Sequence, residues 1–493
     1  MKFSLLAITT FASIASAAPF NDENPGFVKA QLTKREFKDP SVSQLFRRGQ
    51  INTPLYNQVS YYQIELEVGN PPQKLQALLD TGSSDMWFFS NYVGAGNAAT
   101  FSPQRSNTWH NNYTQFTISY VSGSAQGTWG TDEVSISGSK IKGQSFAIVT
   151  SGNGLTGIPG LIGTGLPALE STNNNFNFFQ PRHTYSNVPL SLFEQGHIGT
   201  PTYSLYLDTI DAKAGTVLFG AIDHSKYKGK MYSVPRVHNS RFNINIDDIQ
   251  VNGNSVGSTS SATLDSGTTL GSLPDSVISG LVSSLGLQQD YSNNGIYYAR
   301  RNSFRGDTPV TFSISGVKFN IKASDLFIDS EKLGDPFPAG LSILGFSPAS
   351  QTQGQVILGD VFLRNFYIVY DLSNPQLGIA LANFNHTSVP QFDPITTSVI
   401  PRSQVVAATK LDTTQPVQNT QANPFARLFG PFRGLFGNGL FGNNLFGNSL
   451  LSPKQAATVQ EKLDTPESDA STEEAIRMVK KSIEDQLLVF DQN

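Results

Sequence analysis

The sequence predicts an all-β chain of two similar lobes around a central cleft, followed by a mostly disordered C-terminal tail. Three observations carry that expectation. One stretch occurs twice, first as Ala77-Leu78-Leu79-Asp80-Thr81-Gly82-Ser83-Ser84 and again as Ala262-Thr263-Leu264-Asp265-Ser266-Gly267-Thr268-Thr269. A repeat of this kind says that one structural unit was used twice. Between and around the copies lie many short alternating apolar-polar runs separated by Gly, Pro and Asn, the pattern of strands and tight turns. Beyond about residue 389 that pattern stops.

Composition bounds the rest. At 493 residues the chain is long enough for two or three domains with a large core. Charged residues make up only 15% and the formal net charge is −4, so nothing in the balance points to nucleic acid. There is no cysteine, which excludes disulfides, a thiol nucleophile and thiolate metal sites. The six histidines (110, 183, 197, 224, 238 and 386) fall at no metal-ligand spacing, and no metal site is expected.

Residues 1–17 read as a secretory signal peptide: Lys2, an apolar run from Leu5 to Ile14, then Ala15-Ser16-Ala17 as a small-residue cleavage site. Residues 18–48 read as a propeptide, with six Lys and Arg against four acids and two dibasic pairs, Lys34-Arg35 and Arg47-Arg48. Either pair could be the maturation site, and a solvated basic arm is the plain alternative. A cationic prosegment would suit a cleft lined by two carboxylates, with Lys34 or a neighbour paired to them. An N-terminal lobe over 49–236 and a C-terminal lobe over 237–388 follow, each holding one copy of the repeat.

In the first lobe, alternation runs through Tyr62–Val68, turns at Gly69-Asn70-Pro71-Pro72 and continues through Leu75–Asp80. It recurs at Thr114–Tyr120, Glu133–Ile136, Thr202–Leu207 and Thr216–Phe219, and in the second lobe at Phe242–Val251, Val310–Ile314 and Tyr367–Tyr370. Helical signals in the two lobes are few and short, the best being Ser191–Gln195 and Asp275–Leu285, the latter behind Pro274. Asn112-Tyr113-Thr114 and Asn385-His386-Thr387 are glycosylation sequons, making Asn112 and Asn385 candidate glycan sites. The tail, 389–493, repeats Leu-Phe-Gly-Asn every five residues from Leu435 to Ser449 and closes with an amphipathic helical pattern at 473–488. It holds no membrane-spanning run and no hydrophobic terminus of the kind a glycolipid anchor needs, so disorder ranks first and contact with a cell surface or partner second.

The two aspartates gain meaning from what accompanies them. Each ends an apolar strand and is followed by Gly, which permits a tight turn, and by hydroxyls able to bond a carboxylate. Leu161-Ile162-Gly163 and Ile357-Leu358-Gly359 follow the two copies in turn, and Tyr120-Val121-Ser122-Gly123-Ser124 forms the tip of a hairpin. Together with Trp87 and the run from Ile357 to Arg364, these motifs resemble the pepsin-like aspartic endopeptidases over roughly residues 55 to 385. The Ser at position 266 is similar to the secreted fungal branch that includes candidapepsins and yapsins. Two departures stand out: relatives in that branch usually carry paired cysteines, and Val121-Ser122 replaces Gly followed by Asp or Thr. Without an acid at Ser122, a taste for Lys beside the cut loses one determinant.

The resemblance implies Asp80 and Asp265 as a catalytic dyad, supported by Thr81, Gly82, Ser83, Ser266, Gly267 and Thr268. It implies a flap of Tyr120, Ser122, Gly123 and Ser124 closing over substrate, with Tyr120 bonded to Trp87. Two carboxyls in contact share one proton, behaviour for which the aspartates of this family are the general illustration. One acts as base on a trapped water while the other donates to the substrate carbonyl. The implied enzyme is a monomer, takes no cofactor, works in acid and cuts extended polypeptides between apolar residues. A catalytically silent protein of the same fold, serving only to bind, is the alternative. Gly253-Asn254-Ser255-Val256-Gly257 and Gly152-Asn153-Gly154-Leu155-Thr156-Gly157 mimic nucleophile-elbow and dinucleotide motifs but lack the helix each requires, and are expected to be turns.

Overall fold

The computed structural model of the chain describes residues 26–36, 60–91, 99–120, 123–153, 155, 158–174, 183–290, 295–303, 305–333, 338–385 and 387–406. The chain divides into two compact units, Met1–Asp412 and Thr413–Asn493, and the second lies wholly outside the described residues. So do the expected signal peptide, Arg47-Arg48, Ser122, the five-residue repeats and the pattern at 473–488.

Strands dominate. Among the described residues, a 14-stranded sheet runs from Ser403–Val405 at one end to the hairpin of His110–Ser119 and Ser124–Ile136 at the other. A seven-stranded sheet is centred on Asn243–Val251 and Asn254–Leu264, and a four-stranded sheet is built from residues 288–344. Alternation translates directly into faces. In Val317–Lys322, Phe319 and Ile321 are buried while Lys318, Asn320 and Lys322 face solvent, as expected of a strand with one wet side.

Turn chemistry pins the registers. Ser137-Gly138, Asn252-Gly253 and Ser315-Gly316 each link adjacent antiparallel strands through two residues at positive φ, which matches the right-handed strand twist. Asn252-Gly253 is thus a hairpin turn, and the Gly-x-Ser-x-Gly match beside it lies within a strand pair. The helix Asp275–Leu285 has the bounds the sequence predicts and is stopped by Gly286 at φ 65°, whose N–H donates to Val282. The other expected helix forms at Val188–Glu194.

Two regions differ from expectation. Val28–Glu36 is no solvated arm. It is an interior strand, paired with Ala214–Phe219 on one side and Ser60–Val68 on the other, with Val28, Ala30 and Leu32 buried. Its Lys34 does not reach the paired aspartates; the ammonium donates to the Ile210 carbonyl at 2.7 Å. Residues 391–406, which the change in composition groups with the tail, pack on the body. Phe392–Pro394 pairs with Ala221–Asp223, Ser403–Val405 pairs with Met231–Ser233, and Ile395 and Ile400 are buried. Composition missed this because isolated isoleucines between prolines and threonines carry no periodic signal, although each fills a core position.

Candidate active site

Each aspartate is delivered by the same device. Gln73–Asp80 runs parallel to Gly160–Gly163, with Asp80 opposite Gly163, while Asn254–Leu264 runs parallel to Ile357–Leu358. Hydrogen bonds from the Thr164 N–H to the Asp80 carbonyl (2.8 Å) and from the Asp265 N–H to the Leu358 carbonyl (3.0 Å) hold the strand ends. The apolar-apolar-Gly triplets of the sequence are therefore the backing strands of the two aspartates.

The loops that follow face each other. The Gly82 N–H donates to Asp80 Oδ1 and the Gly267 N–H to Asp265 Oδ1, both at 2.8 Å. The Ser83 hydroxyl donates to Asp80 Oδ2, and the Thr268 hydroxyl to Asp265 Oδ2 at 2.8 Å. A Cβ on Gly82 would stand 2.5 Å from Asp265 Cγ, and one on Gly267 would stand 2.4 Å from Asp80 Oδ1 and 3.2 Å from Asp265 Oδ1. Glycine is required at both positions by the opposite carboxyl, not by backbone strain. It also follows that the two side chains meet at one point.

Beneath them the lobes are tied. The Thr81 hydroxyl donates to the Leu264 carbonyl at 2.9 Å and accepts from the Ser266 N–H at 3.0 Å. The Ser266 hydroxyl returns both contacts, donating to the Leu79 carbonyl at 2.7 Å and accepting from the Thr81 N–H at 3.2 Å. All four partners are buried, so each bond is sheltered from water.

Asp80 is only 6% exposed. Burial pushes its carboxyl well above the ordinary range, and Asp265 adds to this through its charge and a hydrogen bond; the donors Ser83 and Gly82 pull the other way. Asp80 therefore keeps its proton to a higher pH than an isolated aspartate.

Tyr120, at the base of the hairpin's tip, stands near Asp80 and Ser83. The Tyr120 N–H donates to the Gly123 carbonyl at 2.7 Å, Ser124 pairs with Ser119, and Trp87 Nε1 donates to the Tyr120 hydroxyl at 2.9 Å. Asn112 and Asn385 are exposed. Asp132 accepts from Thr108 and from the Glu133 N–H, which marks it as a turn brace.

Sequence reasoning passed over three buried groups here. Asp85, fully buried, accepts from the Ser171 N–H and the Tyr185 hydroxyl, each at 2.8 Å, and burial pushes it up to about 6. Glu170, also fully buried, accepts from the Tyr185 N–H at 2.8 Å and is pushed up by burial to about 9. Asp360 is raised well above its ordinary value by burial, and among the described residues neither of its oxygens accepts a hydrogen bond. The available signal was an acid inside an apolar run: Asp85 precedes Met86-Trp87-Phe88-Phe89, and Asp360 sits within Leu358–Leu363.

A family model described as eukaryotic aspartyl protease matches residues 61–382. Aspartic proteinase 3 of Saccharomyces cerevisiae is 32% identical, over 80% of this chain and 84% of its own. Candidapepsin-2 of Candida parapsilosis is 33% identical, over 74% of this chain and 88% of its own. Among solved structures, an aspartic proteinase from Irpex lacteus superposes with a TM-score of 0.58 at 25% identity, covering 73% of this chain and 98% of that one.

Proposed function

The chain belongs to the eukaryotic aspartyl proteases and is an aspartic-type endopeptidase; from that premise we propose that it is secreted and acts in acid, with Asp80 and Asp265 as its catalytic pair. The observation that carries this reading is the convergence of the two carboxyls at one point, each held by a backbone N–H and a hydroxyl from its own loop. Two acids so close cannot both ionise cheaply, so one proton stays between them. The ionised member takes a proton from a bound water as it attacks the peptide carbonyl. The protonated member donates to that carbonyl as the tetrahedral diol forms, and proton return to the amine completes hydrolysis.

The substrate lies as an extended strand under the hairpin, with apolar side chains on both sides of the cut. Support comes from the apolar wall behind the hairpin: Trp87, Phe116, Leu155 and Ile158 are buried in one cluster against Tyr120. Closure of Tyr120 over the substrate excludes water and strengthens the polar contacts within.

Residues 1–17 direct secretion and residues 18–48 are removed on maturation. Of the two dibasic pairs, Lys34-Arg35 lies in an interior strand opposite Tyr62 and Tyr61. A processing protease needs its substrate unpaired, which disfavours Lys34-Arg35 and leaves Arg47-Arg48 as the proposed site. Asn112 and Asn385 carry glycans, and the enzyme works as a monomer.

The test is a peptide-library digest across pH 3–8 with Asp80→Asn alongside and a pepstatin-type transition-state mimic as inhibitor. Cleavage between apolar residues, greatest in acid and lost in both controls, is the expected result. A rate maximum above neutral pH, or full activity with the inhibitor present, overturns the reading.

A further inference from the structure

Asp85 lies between the catalytic loop and the hairpin yet has no part in the hydrolysis described. One of its neighbours has two possible partners. The Tyr185 hydroxyl is 2.8 Å from Asp85 Oδ1 and 3.5 Å from the Ser84 carbonyl, the outer reach of a hydrogen bond. While Asp85 is ionised, the hydroxyl donates to it. Once Asp85 carries a proton, Asp85 donates to Tyr185, and the tyrosine proton is free to turn to Ser84. The state of one buried carboxyl thus decides whether Tyr185 braces the backbone of the loop that holds Asp80.

Tyr185 is also tied to the hairpin. Its ring packs edge-on against Trp129 at 5.1 Å, and Trp129 packs the same way against Phe116 at 5.1 Å. Phe116 lies on the outgoing strand His110–Ser119, paired with Gly127 of the returning strand. On the other side, Asp85 leads into Met86–Phe89, whose Trp87 holds the Tyr120 hydroxyl. Two routes therefore join Asp85 to the hairpin, one through the aromatic ladder and one through Trp87.

We propose that Asp85 and Tyr185 form a proton-operated positioning pair, which holds the hairpin in its substrate-gripping arrangement while Asp85 is protonated and loosens that grip when Asp85 ionises. The groups facing Asp85 are Ser171 and Glu170 from one side, Tyr185 from a second and Tyr120 from the hairpin. Glu170 is pushed up to about 9, and burial raises both tyrosines well above their ordinary value. Of these groups Asp85, at about 6, is the one that changes charge between acid and neutral pH.

The inference rests on the endopeptidase reading, and its test is steady-state kinetics of the wild type, Asp85→Asn and Tyr185→Phe from pH 4 to pH 7.5. Asparagine copies the protonated acid: its amide donates to Tyr185 and its carbonyl accepts from Ser171. Asp85→Asn is expected to keep about tenfold more of its acid kcat/KM at pH 7 than the wild type keeps, with the difference in KM. Tyr185→Phe is expected to raise KM severalfold at pH 4 and to flatten its rise between pH 5 and pH 7. Superimposable profiles for Asp85→Asn and the wild type overturn the proposal, as does an unaltered KM in Tyr185→Phe. So does wild-type activity that is lost at pH 7 and not recovered on return to pH 4, which makes Asp85 a matter of stability. A wild type that cleaves nothing at any pH defeats the endopeptidase reading instead.

Discussion

Asp80 to Ser84 and Asp265 to Thr269 are two renderings of one loop, and they agree bond for bond. Each carboxyl takes an N–H from its glycine and a hydroxyl from the residue after it, and each second residue reaches across to the other lobe. The likeness ends at the next position. Ser84 is followed by Asp85, buried and acidic, and Thr269 by Leu270, 8% exposed and inert. The backing strands differ in the opposite sense. Gly163 is followed by Thr164, whose hydroxyl bonds Tyr203, whereas Gly359 is followed by the buried Asp360. Symmetry holds where two carboxyls must meet as equals, and each half then places a buried acid at a position its twin leaves neutral.

The harshest way to break the comparison is at its centre. Asp80→Asn and Asp265→Asn should each lower kcat by about 10³-fold or more, because either change removes the base or the acid of one shared act. Losses that differ by more than about tenfold would show that the halves are not functional equals. A second experiment copies the N-terminal feature onto the C-terminal half. Leu270→Asp puts an acid in a sealed apolar position with no built partner, and should cost about 3 kcal/mol or more at pH 7. Chemical denaturation at pH 3 and pH 7 reads this, with the smaller loss expected at pH 3, where the new carboxyl can stay protonated. A third pair of changes sharpens the likeness. Thr81→Val and Ser266→Ala each remove a hydroxyl from the cross-brace and should each cost about 1–3 kcal/mol. Since both hydroxyls belong to one network of contacts, the loss in the double variant should depart measurably from the sum of the two single losses.

Much of this was legible in the sequence, for a physical reason. A residue that must be Asp, Gly or a hydroxyl at fixed spacing leaves a mark on the chain, so the paired loops, the backing triplets, Trp87 and Tyr120 could all be named. The helix Asp275–Leu285 was equally open, with Pro before it and Gly286 after it. The strand Val28–Glu36 was not, because Lys34, Arg35 and Glu36 drew attention to charge while Val28, Ala30 and Leu32 alternated beside them. Residues 391–406 were hidden for a related reason: two buried isoleucines and two three-residue strands are too little pattern to rise above a polar background. Asp85 and Glu170 depend on Tyr185, a hundred residues from the first, and no local spacing encodes that meeting.

Asp360 offers the mildest test, and its sign can be worked out. Its carboxyl is raised by burial, with Asp265 adding to the rise, while Lys34 and Arg364 oppose it. A group that holds its proton more tightly in the folded protein leaves stability intact below the unfolded value of about 3.9 and takes it away as pH climbs from there toward the folded value. The wild type should therefore melt at a lower temperature at pH 7 than at pH 4, and Asp360→Asn should narrow that gap by a few degrees, at about 2–4 °C for each kcal/mol. The two cations are not stranded by the change. Arg364 keeps the carbonyls of Asp325 and Phe327 at 3.0 and 3.1 Å, and Lys34 keeps that of Ile210. Differential scanning calorimetry at the two pH values decides the matter. An unaltered gap would mean that Asp360 is already ionised against Arg364.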